Sequence, residues 1–352
     1  MELLRDFSAD ELAEILRAAG QPPFRAAQIY NWVNNGADYD AMNDVPKSLR
    51  EYLKARYRAA PPRIAERLVS KDGSQKYLFV FDDGEAVEGV FMPHGYGNTL
   101  CASVQAGCRM GCAFCASGKN GLSRNLSAGE ILGQVIAVNA LLGGSARSRK
   151  IQNIVLMGSG EPLDNYDNTV KFLRLVTDAR GLNFSSRAIS LSTSGLVPEI
   201  RRLADEGAGV TLSVSLHATT DESRQKIMPI AKKYPISELL AAAKYYFEKT
   251  GRRVIFEYSL MKEYNMNFFD AKRLAEFCKN LSAHVNLIML NRIDGGGIGG
   301  CTKPEAERFL EKLTRLGVSA TLRRSFGSDI GGACGQLRGN YKKTEKQPKT
   351  DV

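Results

Sequence analysis

Residues 99–115 read Thr-Leu-Cys-Ala-Ser-Val-Gln-Ala-Gly-Cys-Arg-Met-Gly-Cys-Ala-Phe-Cys, with cysteines at Cys101, Cys108, Cys112 and Cys115. The pattern predicts a strand over residues 99–104, and the last three cysteines follow it in one loop. In α/β proteins the loops that follow strands commonly carry the functional groups. The stretch therefore predicts the first strand of an α/β core and a reactive loop directly after it.

Strand and helix patterns alternate from this stretch onward. Capping boxes mark helix starts, as in Ser8-Ala9-Asp10-Glu11 and Ser127-Ala128-Gly129-Glu130. Strands joined by helical crossovers form a parallel sheet, and we expect a partial (β/α)6 barrel of the TIM type. The predicted strands lie at 99–104, 151–157, 188–193, 210–216, 253–260 and 284–290.

Four regions are predicted along the chain. Residues 1–60 carry helical periodicity and form an accessory domain, and residues 61–97 alternate with period two as a β-rich connector. Residues 98–340 form the core barrel. Residues 341–352 lack apolar content and are predicted to be disordered.

The charge balance favours a polyanionic partner. The 352 residues hold 48 Lys and Arg against 38 Asp and Glu, a formal net charge of +10. Such an excess is typical of nucleic-acid-binding proteins, although it also fits a basic surface that keeps the protein soluble. The sequence shows neither a signal peptide nor an apolar run of the roughly 20 residues that span a bilayer, so we expect a cytoplasmic protein without a membrane partner.

The cysteines indicate metal chemistry rather than a disulfide framework. There are seven, an odd number, and Cys108, Cys112 and Cys115 crowd into eight positions. Thiolates of this kind bind zinc or iron–sulfur clusters, but a structural zinc site needs four ligands and no second cysteine pair is present. Three ligands would leave one iron of a [4Fe–4S] cluster open, and we favour that interpretation.

The Cys-x₃-Cys-x₂-Cys spacing resembles the radical S-adenosylmethionine (SAM) superfamily. The resemblance implies one [4Fe–4S] cluster per chain, held by Cys108, Cys112 and Cys115, with SAM bound at the open iron. Candidate SAM contacts stand where predicted strands end, the usual place for a barrel active site. The alternative is that these residues turn the chain and cap the following helices. The candidates are Gly160, Glu161, Ser192, Ser215, Leu216, His217 and Asn291.

Longer motifs narrow the resemblance to the RlmN/Cfr family of RNA adenine methyltransferases. They are Thr99–Cys108, Arg124-Asn125-Leu126, Ser190–Gly195 and Ala333-Cys334-Gly335-Gln336-Leu337. The resemblance implies that Cys334 carries an S-methyl intermediate and that two SAM molecules are used per turnover. It further implies that Cys101 resolves the RNA adduct through a transient disulfide with Cys334, and that Glu88 accepts the ring proton.

The family resemblance also implies the partners. They are 23S rRNA methylated at C2 of an adenosine, tRNA as a second substrate, and a flavodoxin or ferredoxin as electron donor; we expect a monomer. The accessory domain of residues 1–60 is then a candidate for RNA binding. The target base must leave its stack to reach a barrel. Candidate phosphate-binding residues are Lys119, Arg124, Lys232, Lys233, Arg323 and Arg324.

Several segments depart from the usual family pattern. Ser159 replaces a Met in the Gly-Met-Gly-Glu-Pro motif, Ala231 replaces an Asn, and the glycine loop over residues 295–300 is atypical. These departures leave methylation at C8, the reaction of the antibiotic-resistance relatives, as an alternative. A non-catalytic iron–sulfur protein that binds RNA is the alternative from another functional class.

Overall fold

The structure is a computed structural model that describes residues 1–262, 264–279, 281, 283–290 and 299–330. The predicted disordered tail, and the predicted site residues Asn291 and Cys334, lie outside these ranges. Across the described ranges, no helix combines the length and apolar character needed to cross a membrane.

The N-terminal residues form a small helical unit with its own apolar core. The capping box predicted at Ser8 and Glu11 starts the first helix. Leu12 and Leu16 of that helix pack with Leu49 and Leu53 of the third, all of them buried. The elements are β1 (Glu2–Leu3), α1 (Ala9–Ala18), α2 (Phe24–Asn34), α3 (Lys47–Lys54) and β2 (Tyr57–Arg58).

Three antiparallel strands follow and continue directly into the core sheet. They are β3 (Arg63–Val69), β4 (Gln75–Val80) and β5 (Ala86–Met92). Strand β5 pairs antiparallel with β6 (Thr99–Ala102), with Val90 opposite Cys101. The β-rich connector is therefore an extension of the main sheet, which places its side chains beside the first barrel strand.

The core alternates strands and helices as predicted, so the α/β class and the partial barrel are confirmed. The elements after β6 are β7 (Gln105–Gly107), β8 (Leu122–Asn125), α4 (Ala128–Leu141), β9 (Asn153–Leu156), α5 (Tyr166–Thr177), β10 (Ile189–Thr193), α6 (Val197–Asp205), β11 (Thr211–Ser215), α7 (Asp221–Ile227), α8 (Ile236–Thr250), β12 (Val254–Leu260), α9 (Phe268–Lys279), β13 (Ala283–Met289), α10 (Lys303–Arg315) and β14 (Ala320–Leu322).

One large sheet has ten strands in the order β14-β13-β12-β11-β10-β9-β6-β5-β4-β3. The strands from β6 to β14 are parallel, and β14 adds a seventh parallel strand to the six predicted. A separate hairpin, β7–β8, was also not predicted. It projects from the end of the first barrel strand and carries the cysteines between its two strands.

The two faces of the parallel strands differ in polarity. On β10, Ile189 and Leu191 are buried in the core, whereas Ser190 and Ser192 are partly exposed on the opposite face. The same alternation runs along β9 and β13. The apolar face is covered by helices, so the polar face forms the interior of the barrel, where a polar substrate can bind.

Candidate active site

The cysteine loop (residues 108–115) lies between β7 and β8 and is fixed by main-chain hydrogen bonds. The amide of Cys108 donates to the carbonyl of Gly121 at 3.0 Å, and the amide of Ala113 donates to the carbonyl of Ile227 at 2.9 Å. Cys112 and Phe114 pack against a small apolar cluster beside the end of α7. The loop is thus tied both to its own hairpin and to the fourth crossover of the barrel.

The three thiols of this loop fit the donor set of an iron–sulfur cluster. None of them is in a disulfide, and their charges influence one another, so they lie close together. Burial raises the pKa of Cys108 to about 11 and, with the neighbouring thiols, that of Cys112 to about 12. Such thiols ionise only when a positive centre displaces their protons, as iron does. Among the described residues, no three His, Cys, Asp or Glu side chains are arranged to hold a single metal ion.

Gly160 and Glu161 follow β9 and connect it to neighbouring strands. Gly160 has φ of +103°, and a Cβ there would lie 2.5 Å from the Cβ of Gln105, so only glycine fits. The buried carboxylate of Glu161 accepts from the amides of Ser194 at 2.6 Å and Leu163 at 3.1 Å. Burial raises the pKa of Glu161, and these bonds oppose the shift. The negative charge of Glu161 also reaches Cys108 and Cys112.

Ser192 and Ser215 face the barrel interior and are partly exposed, whereas Leu216 is fully buried. The amides of Leu216 and His217 both donate to the carbonyl of Glu257, at 3.1 and 3.3 Å. These bonds bend the chain at the end of β11, and His217 has a positive φ of 54°. A non-glycine residue held in this conformation is typical of functional sites.

His217 connects this turn to the cysteine loop. Its Nδ1 accepts from the amide of Ser259 at 2.9 Å, and its ring packs edge-on against Phe114 with centroids 4.6 Å apart. Burial, assisted by the positive charge of Arg224, lowers the pKa of His217 to about 3. The imidazole is therefore neutral at physiological pH.

Cys101 and Glu88 meet on the interior face where β5 pairs with β6. Both are buried, and the charge of Glu88 acts on the thiol of Cys101. Burial raises the pKa of Cys101 to about 11, and Arg323 opposes this shift. An Oε of Glu88 lies 3.3 Å from Nζ of Lys76, which is itself buried. The two residues assigned separate roles from sequence are thus neighbours in space.

Two interior residues had no predicted role inside the barrel. Glu257 on β12 is buried; its carboxylate lies beside the hydroxyl of Ser213 and accepts from Nδ2 of Asn286 at 3.1 Å. Arg323 was predicted to bind phosphate, but its Nη1 lies 3.8 Å from the sulfur of Met157, inside the barrel. The signal for Glu257 was available, since a lone carboxylate in an apolar strand is costly to bury.

Arg124 was predicted to bind phosphate, but the structure pairs it with carboxylates of the protein. Its guanidinium donates to both carboxylate oxygens of Glu130, at 2.7 and 2.8 Å, and pairs with Asp83. The side chain is therefore committed to protein carboxylates that hold β8 against α4.

The barrel and the cysteine loop together define a radical SAM protein, and the family model described as "Radical SAM superfamily" matches residues 102–276. The model "Ribosomal RNA large subunit methyltransferase N-terminal domain" matches residues 2–58. This superfamily implies a [4Fe–4S] cluster and SAM.

Full-length relatives define the family further. A probable dual-specificity RNA methyltransferase RlmN from Clostridium perfringens (strain 13 / Type A) is 48% identical, covering 98% of this chain and 99% of that protein. The corresponding protein from Geobacillus kaustophilus is 45% identical and covers 96% and 92%. A crystal structure of a radical SAM methyltransferase from Sphaerobacter thermophilus matches with a TM-score of 0.91 and 42% identity, over 96% of this chain and 99% of that one. The chain belongs to the RlmN family of radical SAM RNA methyltransferases.

Proposed function

We propose that this protein methylates C2 of an adenosine in 23S rRNA, and an adenosine of tRNA as a second substrate. The observation that carries the proposal is the placement of Cys101 beside Glu88 on the barrel interior. A thiol and a carboxylate at one point supply the resolving group and the base that the reaction needs. The relatives described as dual-specificity RNA methyltransferases support the choice of substrates.

In this proposal the cofactors are held by the residues predicted from the sequence. Cys108, Cys112 and Cys115 hold the cluster, and Gly160, Glu161, Ser192, Ser215, Leu216, His217 and Asn291 contact SAM. The cluster, when bound, supplies the electron that cleaves SAM to a 5′-deoxyadenosyl radical. A flavodoxin or ferredoxin donates that electron, and the enzyme acts as a monomer.

The chain's own residues carry the methyl group. The thiolate of Cys334 takes a methyl from one SAM, because C2 of adenine is not nucleophilic enough to attack SAM itself. The S-methyl group then loses a hydrogen atom to the radical made from a second SAM, and the carbon so activated bonds to C2. Glu88 accepts the ring proton, and the unpaired electron left on the ring would return to the oxidised cluster held by the three cysteines of the loop. Attack by the Cys101 thiolate on the sulfur of Cys334 then breaks the bond between that sulfur and the added carbon. The carbon keeps the electron pair and takes a proton to become the methyl group, and the two cysteines are left as a disulfide.

A trapped covalent complex tests these roles. In the Cys101→Ala variant, Cys334 should still receive the methyl and bond to RNA, but nothing remains to break the adduct. A protein–RNA band should therefore survive denaturation, and it should vanish in the double variant that also carries Cys334→Ala. Cys278→Ala is the matched control, because Cys278 is a half-buried thiol whose pKa burial likewise raises to about 11.

Two results would contradict the proposal. An adduct formed by Cys334→Ala alone would reverse the roles of the two cysteines. Mass spectrometry of nucleosides from treated RNA separates 2-methyladenosine from 8-methyladenosine, and the C8 product would overturn the proposed position.

A further inference from the structure

A cavity of about 640 Å³ occupies the half of the barrel nearest the N-terminal ends of its parallel strands. Thr99 and Asn153, which begin β6 and β9, line it together with Ala188, which precedes β10. Its inner end reaches Met157 and Glu257. Cavities of this size, within about 300–1,000 Å³, hold small organic ligands. A single base and its sugar are ligands of that class.

Aromatic rings stand at the opening of this cavity. Tyr96 is 80% exposed and stacks on His94 with centroids 4.7 Å apart and planes at 20°. The ring of Phe326 also packs edge-on against that of His94, with centroids 4.6 Å apart. A large aromatic side chain that is supported on one face and open on the other can stack with an unpaired base.

The opening is also positively charged. Arg187 and Arg324 are exposed at the cavity, and the Arg324 guanidinium lies 5.2 Å from the Phe326 ring centroid. Burial and the charges of Arg323 and Arg324 lower the pKa of His94, which favours the neutral form of its ring. Aromatic rings interleaved with arginines are characteristic of surfaces that bind single-stranded nucleic acid.

The opposite end of the barrel is already occupied by protein. The cysteine loop lies there, with Phe114 packed on His217 at the C-terminal end of β11. Cys101 follows Thr99 on the same face of β6 and stands opposite Val155 of β9, and both Thr99 and Val155 line the cavity. A base that enters through the aromatic opening would thus approach Cys101 and Glu88 without displacing the cysteine loop.

We propose that this cavity admits the target nucleotide of the RNA: Tyr96 stacks on an unpaired base at the opening, and Arg187 and Arg324 bind the flanking phosphates. The inference rests on the proposed function for the identity of the substrate. It adds the end of the barrel through which the nucleotide enters and the residues that receive it. Neither Tyr96 nor Arg187 has a role in the chemistry itself.

Binding of a labelled RNA hairpin with adenosine in its loop tests the stacking contact. Tyr96→Ala should weaken binding about tenfold, since stacking on an aromatic side chain contributes about 1–3 kcal/mol per base and 1.4 kcal/mol is tenfold. Tyr96→Phe keeps the ring and should bind like the wild type. Phe269→Ala, which removes a 65% exposed aromatic ring from α9, is the matched control. Equal loss in the Phe269 and Tyr96 variants, or no loss in either, would overturn the proposal.

Photocrosslinking of the wild-type protein gives an independent answer. A 4-thiouridine placed next to the loop adenosine should attach to a peptide containing residues 93–96 or 323–326. Attachment to residues 261–269, beyond the C-terminal end of β12, would place entry at the other end. Methylation of the same RNA is measured separately, so a wrong entry site with normal methylation would refute this inference and leave the proposed function intact.

Discussion

Acidification should destabilise this protein through His217, because the folded structure disfavours the protonated form of its ring. The ring is buried against Phe114, and its Nδ1 already accepts a hydrogen bond from the amide of Ser259. Protonation would place two N–H donors face to face and bury a charge. Burial, assisted by Arg224, lowers the pKa of His217 from 6.5 to about 3.

The sign and size of the effect follow from these pKa values. The pKa of His217 is lower in the folded protein than in the unfolded chain. The contribution of His217 to folding stability is therefore complete above pH 6.5 and is lost as pH falls toward 3. One pKa unit corresponds to about 1.4 kcal/mol, so the loss between pH 7.5 and 5.0 is about 2 kcal/mol from this residue alone.

Urea unfolding of the cluster-free protein at pH 7.5 and 5.0 measures this loss. The fall in unfolding free energy should be about 2 kcal/mol smaller in His217→Gln than in the wild type. His284→Gln is the control, because His284 is half-exposed and its ring bonds to the hydroxyls of Ser319 and Thr321. The His284→Gln variant should show most of the fall in unfolding free energy that the wild type shows between the two pH values. An equal loss in the wild type and His217→Gln would show that His217 accepts a proton in the fold and would refute the reasoning.

Three further outcomes are expected. Gly160→Ala should destabilise the protein by about 3 kcal/mol in urea unfolding, from backbone strain and the contact with Gln105. Gly251 has φ of +65° but open space around it, so Gly251→Ala should lower the unfolding free energy by only about 1 kcal/mol. Similar losses in the Gly160 and Gly251 variants would contradict the packing argument. Anaerobic reconstitution should yield about four iron and four sulfide per chain. Alanine at all three cysteines of the loop should abolish both, and stoichiometric zinc would disprove the cluster. RNA affinity should fall steeply on a log–log plot against salt, whereas a flat plot would exclude phosphate contacts.

Periodicity along the chain was sufficient to predict the architecture. Six parallel strands and the capping boxes at Ser8 and Ser127 appear where local pattern places them. Hydrophobic alternation and end-capping depend on near neighbours, which a sequence displays directly. The three-residue strands β7 and β14 escaped prediction because a run that short has no measurable period.

The candidate active site likewise has features that the sequence predicted and features that only the structure shows. The sequence alone was sufficient to predict the ligands proposed for the cluster, because thiols within eight residues are held together by covalent geometry. Only the tertiary structure decided that Cys101 meets Glu88 and that Glu257 lies inside the barrel, since those contacts depend on register between strands. It also decided that Arg124 pairs with carboxylates while Arg323 faces the barrel interior. A charged side chain takes whichever partner the folded chain brings within reach, and sequence order does not specify that partner.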